Sequence, residues 1–216
     1  MATVVFDFDS TLIPVESLEE VLAATVSDPA VLARVAEITR RGMEGELDFR
    51  TSLESRLRLA APSRDAVRGV GAVLADRIAT EARECVKWLA DTGHAVRIVS
   101  GGFRDVILPS ARTLGIDPDR VHAVSARWTS DGSFDGLVED GFVDSKVEGV
   151  RRLDATWPGP IWAVGDGATD HALATAGLAD GFIAFTRHVR RDFLDEADVP
   201  EAGSMADLRR VLSELL

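Results

Sequence analysis

Three short segments and one lysine carry residue types suited to chemistry on an anionic ligand. They are Asp7-Phe8-Asp9-Ser10-Thr11, Ser100-Gly101-Gly102, Lys146, and Gly165-Asp166-Gly167-Ala168-Thr169-Asp170. Taken singly, each has an ordinary reading: an Asp after a strand caps a helix, Gly-Gly makes a tight turn, and a Lys is solvated. Brought together, they form a site. Two aspartates two residues apart at a strand end lie on one side of it, with Phe8 turned to the core. If Asp7, Asp9, Asp166 and Asp170 converge, like charges about 4 Å apart repel by roughly 4 kcal/mol at an effective dielectric of about 20. Such a cluster calls for a hard divalent cation, and an oxygen-only set without His or Cys selects Mg²⁺.

The surrounding sequence supplies the elements that could bring them together. Four short β-branched or aromatic runs are predicted as buried parallel strands: Thr3–Phe8, Ala95–Val99, Pro160–Val164 and Gly181–Phe185. Helical periodicity falls between them. Thr80–Thr92 places Ala82, Cys85, Val86 and Leu89 on one face, with Gly93 as a stop. Phe103–Leu114 and Ser145–Ala155 read as helices too, the second opening on the capping box Ser145…Glu148. Strand–helix alternation means βαβ units, hence an α/β fold with a doubly wound parallel sheet. In such sheets ligands bind at the carboxyl ends of the strands, where the candidate residues fall.

Residues 15–78 break the alternation because they read as helix throughout. Ser17…Glu20 forms a capping box, Val31, Val35 and Ile38 form one apolar stripe, and Phe49, Leu53 and Leu57 form another. Ser63–Arg77 reads as a weaker helix interrupted by Gly69 and Gly71. The stretch is too long for an ordinary crossover and is predicted to be a small helical cap inserted after strand one. The expected division is a core of 1–14 and 79–216 and a cap of 15–78. Arg120–Asp140 alternates and turns at Ser130–Ser133, a hairpin signal.

Composition narrows the partners. The chain has 216 residues with 24 Lys+Arg against 36 Asp+Glu, a formal charge of −12. That balance disfavours nucleic acid or an anionic membrane surface. With 46% hydrophobic residues it can bury a sizeable core. The single Cys85 closes no intrachain disulfide. The N-terminus reaches acidic residues by position 7 and reads as no export signal, so a cytoplasmic protein is expected.

The ordered set DFDST, SGG, lysine and GDGATD resembles the four motifs of the haloacid-dehalogenase-like phosphatase superfamily, over nearly the whole chain. The resemblance implies a Rossmann-like core and an aspartyl-phosphate mechanism. Asp7 would be the nucleophile and Asp9 the general acid and base. Asp7, the Asp9 carbonyl and Asp166 would ligate Mg²⁺, with Asp170 a ligand or close behind. Ser100, the Gly101 amide and Lys146 would hold the phosphoryl oxygens.

Within that superfamily, Glu16 and the stretch Ile38–Leu59 resemble the cap signature of the phosphoserine phosphatases. By that resemblance Glu16 meets the substrate ammonium, Arg56 takes its carboxylate, Met43 and Phe49 close over it, and Thr169 stands where many relatives have Asn. Glu44 and the Asp144-Ser145 approach to Lys146 depart from the usual pattern. The implied substrate is O-phospho-L-serine, a small metabolite, acted on by a monomer or homodimer in serine biosynthesis. Rival expectations are a phosphotransferase moving that phosphate to another alcohol, and a phosphatase for another small phosphometabolite. A binding protein without turnover fits less well, since Asp7, Asp9, Lys146 and Asp166 are all present.

Overall fold

The computed structural model describes the chain outside residues 44–45 and 154–155, with the backbone alone at 42–43. Glu44 and the Met43 side chain therefore lie outside the described residues. In chain order the first elements are β1 (Thr3–Phe6), α1 (Ser17–Thr25), α2 (Pro29–Met43), α3 (Phe49–Ala60), α4 (Arg64–Asp76) and α5 (Thr80–Asp91). Then come β2 (Ala95–Phe103), α6 (Arg104–Thr113), β3 (Val121–Val124), β4 (Ala126–Trp128) and β5 (Phe134–Leu137). The last are α7 (Lys146–Arg151), β6 (Ile161–Gly165), α8 (Ala168–Thr175), β7 (Gly181–Phe185), β8 (Glu201–Ala202) and α9 (Met205–Leu215). No helix among the described residues is long and apolar enough to cross a membrane.

Six strands form one parallel sheet in the order β3-β2-β1-β6-β7-β8. Val4, Val5 and Phe6 are all buried, so both faces of β1 are covered, as parallel strands require. The chain builds one side of the sheet through β2 and β3, then returns past β1 to build the other. The order reverses there, which opens a crevice at the carboxyl ends of β1 and β6. Phe6 pairs with Val164, and Asp7 N–H donates to the Val164 carbonyl at 2.8 Å. Asp7 and Asp166 thus leave adjacent strands side by side.

Several expectations change. β1 ends at Phe6, although Phe8 beyond it is still fully buried. The hairpin is shorter than its alternation suggested. β4 and β5 form it, while Val121–Val124 joins the main sheet beside β2, because that apolar run is fully usable as an edge strand. β8 is a further short strand paired with β7. The helix expected over 145–155 runs from Lys146 to Arg151, with Ser145 Oγ accepting from Glu148 N–H at 3.0 Å. Asp154 and Ala155 lie outside the described residues.

Two corrections concern residues 15–78. Ser17 does not cap α1: Glu16 occupies the N-cap position, and the Ser17 side chain turns to Asp9 instead. Gly71 does not weaken α4 but lets it approach α6. A Cβ there would lie 2.7 Å from the Val106 carbonyl oxygen. Val67 and Leu74 of α4 and Leu53 and Leu57 of α3 belong to the main buried cluster, whereas Leu22, Val26, Val35 and Ala60 form a small second one.

Candidate active site

Lys146 opens α7 and reaches across to the end of β1. Its Nζ donates to Asp7 Oδ1 and to Asp170 Oδ1, each at 2.6 Å, with all three side chains buried. Burial and the neighbouring Asp170 push the Asp7 carboxyl well above the usual carboxylate range, against the pull of Lys146. Burial also raises Asp170, while it works to lower the Lys146 ammonium; there Asp170 and Asp7 outweigh it and hold the lysine charged. Two buried carboxyls thus share one ammonium.

Asp166 follows β6 and is also buried. Its Oδ2 takes both Nε and Nη2 of Arg191, at 2.8 and 2.6 Å, so one carboxylate oxygen is held by the guanidinium edge. Arg191 Nη2 also lies 3.8 Å from Glu16. Arg191 was not among the expected site residues; it lies in the loop after β7, within the run FIAFTRHVRRDF that also resembles the family.

Asp9 bonds to Ser17 and not to Lys146. Its Oδ1 accepts from Ser17 N–H and its Oδ2 from Ser17 Oγ–H, both at 3.0 Å. Burial first, and then the charge of Glu16, raise Asp9 to about 7, against the lowering effect of the two Ser17 bonds. The loop between them is tight. Phe8 carbonyl accepts from the N–H groups of Thr11, Leu12 and Ile13, and Ser10 sits at φ +53°. Ser10 Oγ donates to Glu16 Oε1 at 2.8 Å, which holds the loop closed on itself.

The Ser100-Gly101-Gly102 segment ends β2, where the pairing with β3 shifts register. Ser100 Oγ accepts from Gly102 N–H at 3.0 Å. A Cβ on Gly102 would lie 2.8 Å from Ser17 Oγ and 3.3 Å from Asp9 Oδ2, so only glycine lets this strand end approach the aspartate loop. Gly165 plays the same part for Asp170, whose Cγ would lie 2.3 Å from an added Cβ. Asp170 Oδ2 in turn accepts from Gly167 N–H at 3.1 Å, at the start of α8. Thr169 is exposed beside it.

From the helical segment, Phe49 is 42% exposed, and its ring covers Gly101, with Cζ 3.4 Å from where a Cβ would stand. Arg56 is buried two turns further along α3. Its Nε donates to the Ser52 carbonyl at 3.3 Å and its Nη1 to Glu19 at 3.1 Å and Thr39 at 3.4 Å. Among the described residues nothing accepts from its Nη2. Glu19 was not foreseen as a partner; it stands one turn after Glu16 on α1.

The structure thus gathers Asp7, Asp9, Lys146, Asp166 and Asp170 at one sheet edge with the Ser100–Gly102 turn. Oxygens of Asp7, Asp166 and Asp170 all lie within 4.8 Å of one another. An oxygen-only donor set carrying excess negative charge fits a hard divalent cation.

A model of haloacid dehalogenase-like hydrolases matches residues 4–175. The phosphoserine phosphatase of Rattus norvegicus is 34% identical over 193 residues, covering 87% of this chain and 83% of that one. A phosphoserine phosphohydrolase-like protein from Francisella tularensis superposes with a TM-score of 0.86 at 34% identity, covering 98% of this chain and 99% of that one. A phospho-aspartyl intermediate analogue of phosphoserine phosphatase matches with a TM-score of 0.66 at 28% identity, covering 99% and 98%. The chain belongs to the haloacid dehalogenase-like hydrolase family, among phosphomonoester hydrolases similar to the phosphoserine phosphatases.

Proposed function

We propose that this protein hydrolyses O-phospho-L-serine to L-serine and phosphate through an aspartyl-phosphate on Asp7. The observation that carries the reading is the buried Asp7–Lys146–Asp170 constellation beside Asp166, with Asp9 two residues along the same loop from Asp7. The matching structure described as a phospho-aspartyl intermediate analogue supports it by likeness.

An Asp7 carboxylate oxygen attacks phosphorus, and the ester P–O bond breaks. Asp9 gives its proton to the departing serine oxygen. Asp9, now a carboxylate, takes a proton from water as the water oxygen bonds to phosphorus. The acyl-phosphate P–O bond then breaks, which releases phosphate and restores Asp7. Lys146 keeps the Asp7 oxygen oriented and, with the Ser100 hydroxyl and Gly101 amide, offsets charge on the phosphoryl oxygens. Asp7, Asp166, Asp170 and the Asp9 carbonyl would hold a Mg²⁺, which supplies positive charge where attacking and attacked groups are both anionic.

Residues 15–78 act as the cap that selects the substrate. The unused Nη2 of Arg56 is available to the carboxylate of phosphoserine, and Glu16, half exposed beside Ser10, to its ammonium. Phe49 closes the apolar side, and Thr169 borders the phosphate.

The experiment is phosphate release from O-phospho-L-serine and a panel of small phosphomonoesters, with Mg²⁺ or with EDTA. Preference for phosphoserine, loss in EDTA and recovery on adding Mg²⁺ are expected. Full turnover in chelator would sink the metal-dependent mechanism, and preference for another ester would reassign the cap.

A further inference from the structure

We propose that Arg50 is a positioning residue: it straps the first turn of α3 across the mouth of the site and so holds Phe49 over Gly101. Arg50 Nε donates to Asp144 Oδ1 at 3.0 Å, and its Nη2 pairs with Glu139. Both carboxylates lie in the segment between β5 and α7. Asp144 directly precedes Ser145, the N-cap of the helix that Lys146 opens. One guanidinium thus ties the start of a cap helix to the element that delivers the site lysine.

The two ends of α3 are held by different forces. Beyond its C-terminal end, Ser63 bridges to Ser133 and Arg64 N–H donates to the Gly132 carbonyl at 2.8 Å, which are backbone contacts. Leu53 and Leu57 anchor the middle of the helix in the main core. Among the described residues the first turn is tied by its Asp48 cap, the Phe49 contact and the Arg50 ion pairs, besides the buried Ser52 and its carbonyl bond from Arg56. Backbone bonds and apolar burial hardly respond to salt, whereas half-exposed ion pairs do. The end of α3 that covers Gly101 is therefore the end that ionic strength can release. Each carboxylate alone is a modest partner, but two on one planar guanidinium fix its direction as well as its position.

This inference rests on the cap reading above, and its test has an arm that does not. Amide hydrogen exchange on the whole protein reads the strap without any substrate. In Arg50→Ala, amides of the first turn of α3 should exchange roughly two- to fivefold faster, the range for exposed ion pairs. The rest of the chain should keep its protection. Asp144→Asn should give part of the effect, and should add little in the Arg50→Ala background. Raising salt should speed first-turn exchange in the wild type and leave Arg50→Ala nearly unchanged. Arg50→Lys, which keeps the charge but loses the fork, should lie between. In turnover of phosphoserine and of p-nitrophenyl phosphate, KM should rise by a similar factor with kcat not reduced, because an uncovered Gly101 holds every phosphomonoester less well. If first-turn exchange and its salt dependence are the same in wild type and Arg50→Ala, the strap is overturned. Loosening of the whole chain would also overturn it, by making Arg50 a general stability residue. Absence of turnover on any phosphomonoester would remove the functional reading instead, while the exchange data still decide the strap.

Discussion

Asp9 is held by both donors of a single residue: its two carboxylate oxygens accept the backbone N–H and the hydroxyl of Ser17, each at 3.0 Å. Ser17 is the first residue of α1, so the proposed acid–base group is oriented by the first helix after β1. The two aspartates of one loop thus have different partners, Ser17 for Asp9 and Lys146 for Asp7.

Ser17→Ala removes one of those bonds while keeping the volume of a fully buried site. Hydrogen bonds to charged groups are worth about 1.5–3 kcal/mol, so kcat should fall by roughly 10- to 150-fold. KM should change little, since no substrate group is lost. An equal loss in KM and kcat would assign Ser17 to substrate binding, and steady-state kinetics on phosphoserine decides between them.

Asp7→Asn removes a nucleophile that no neighbour replaces. Turnover should drop at least about 10³-fold if covalent catalysis carries the rate. Acid-stable trapping of labelled phosphate on the wild type, absent in Asp7→Asn, checks the intermediate itself. Near-normal turnover would mean that water attacks directly.

Arg56→Ala should separate the two ends of the substrate. Loss of a charge-assisted pair corresponds to roughly 10- to 150-fold in kcat/KM for phosphoserine. p-Nitrophenyl phosphate, which has no carboxylate, should be affected little. Glu19→Gln leaves Arg56 without its ion-pair partner and should act in the same direction but more weakly, since Glu19 is half exposed. Equal damage to both esters would make Arg56 structural.

His122 predicts a pH dependence of stability far from the site. Its ring stacks between Trp157 and Phe142, with Nε2 3.2 Å from Arg97 Nη1. Burial first, and then Arg97 and Arg104, lower its pKa from the ordinary 6.5 to about 4. The unfolded chain therefore binds this proton more readily than the folded one. Stability is complete above the unfolded value and declines as pH falls from about 6.5 to about 4. Urea unfolding of wild type and His122→Gln between pH 7.5 and 5 should show the wild type losing more stability than the variant. Parallel curves would exclude His122 as the source.

Much of this protein was legible along the chain, because its chemistry is tied to local grammar. The strands announce themselves as apolar runs, and each motif sits where a run ends, so the parallel order places Asp7 and Asp166 side by side. The acid cluster follows from residue types alone. The sequence by itself also marked the helical stretch after β1.

Tertiary structure decided the pairings, since a hydrogen-bond partner carries no signal in the sequence of the residue that uses it. Ser17 satisfies the capping pattern with Glu20, yet its hydroxyl goes to Asp9, because a buried carboxylate gains more from that donor than a solvated helix end does. Gly71 looks like a helix breaker, but it pays for itself through contact with α6. Val121–Val124 reads as one arm of a hairpin until β2 offers it a parallel edge. Arg191 and Arg50 are unremarkable surface cations in the sequence. They acquire roles only when folding sets Asp166 beside one, and Asp144 and Glu139 beside the other.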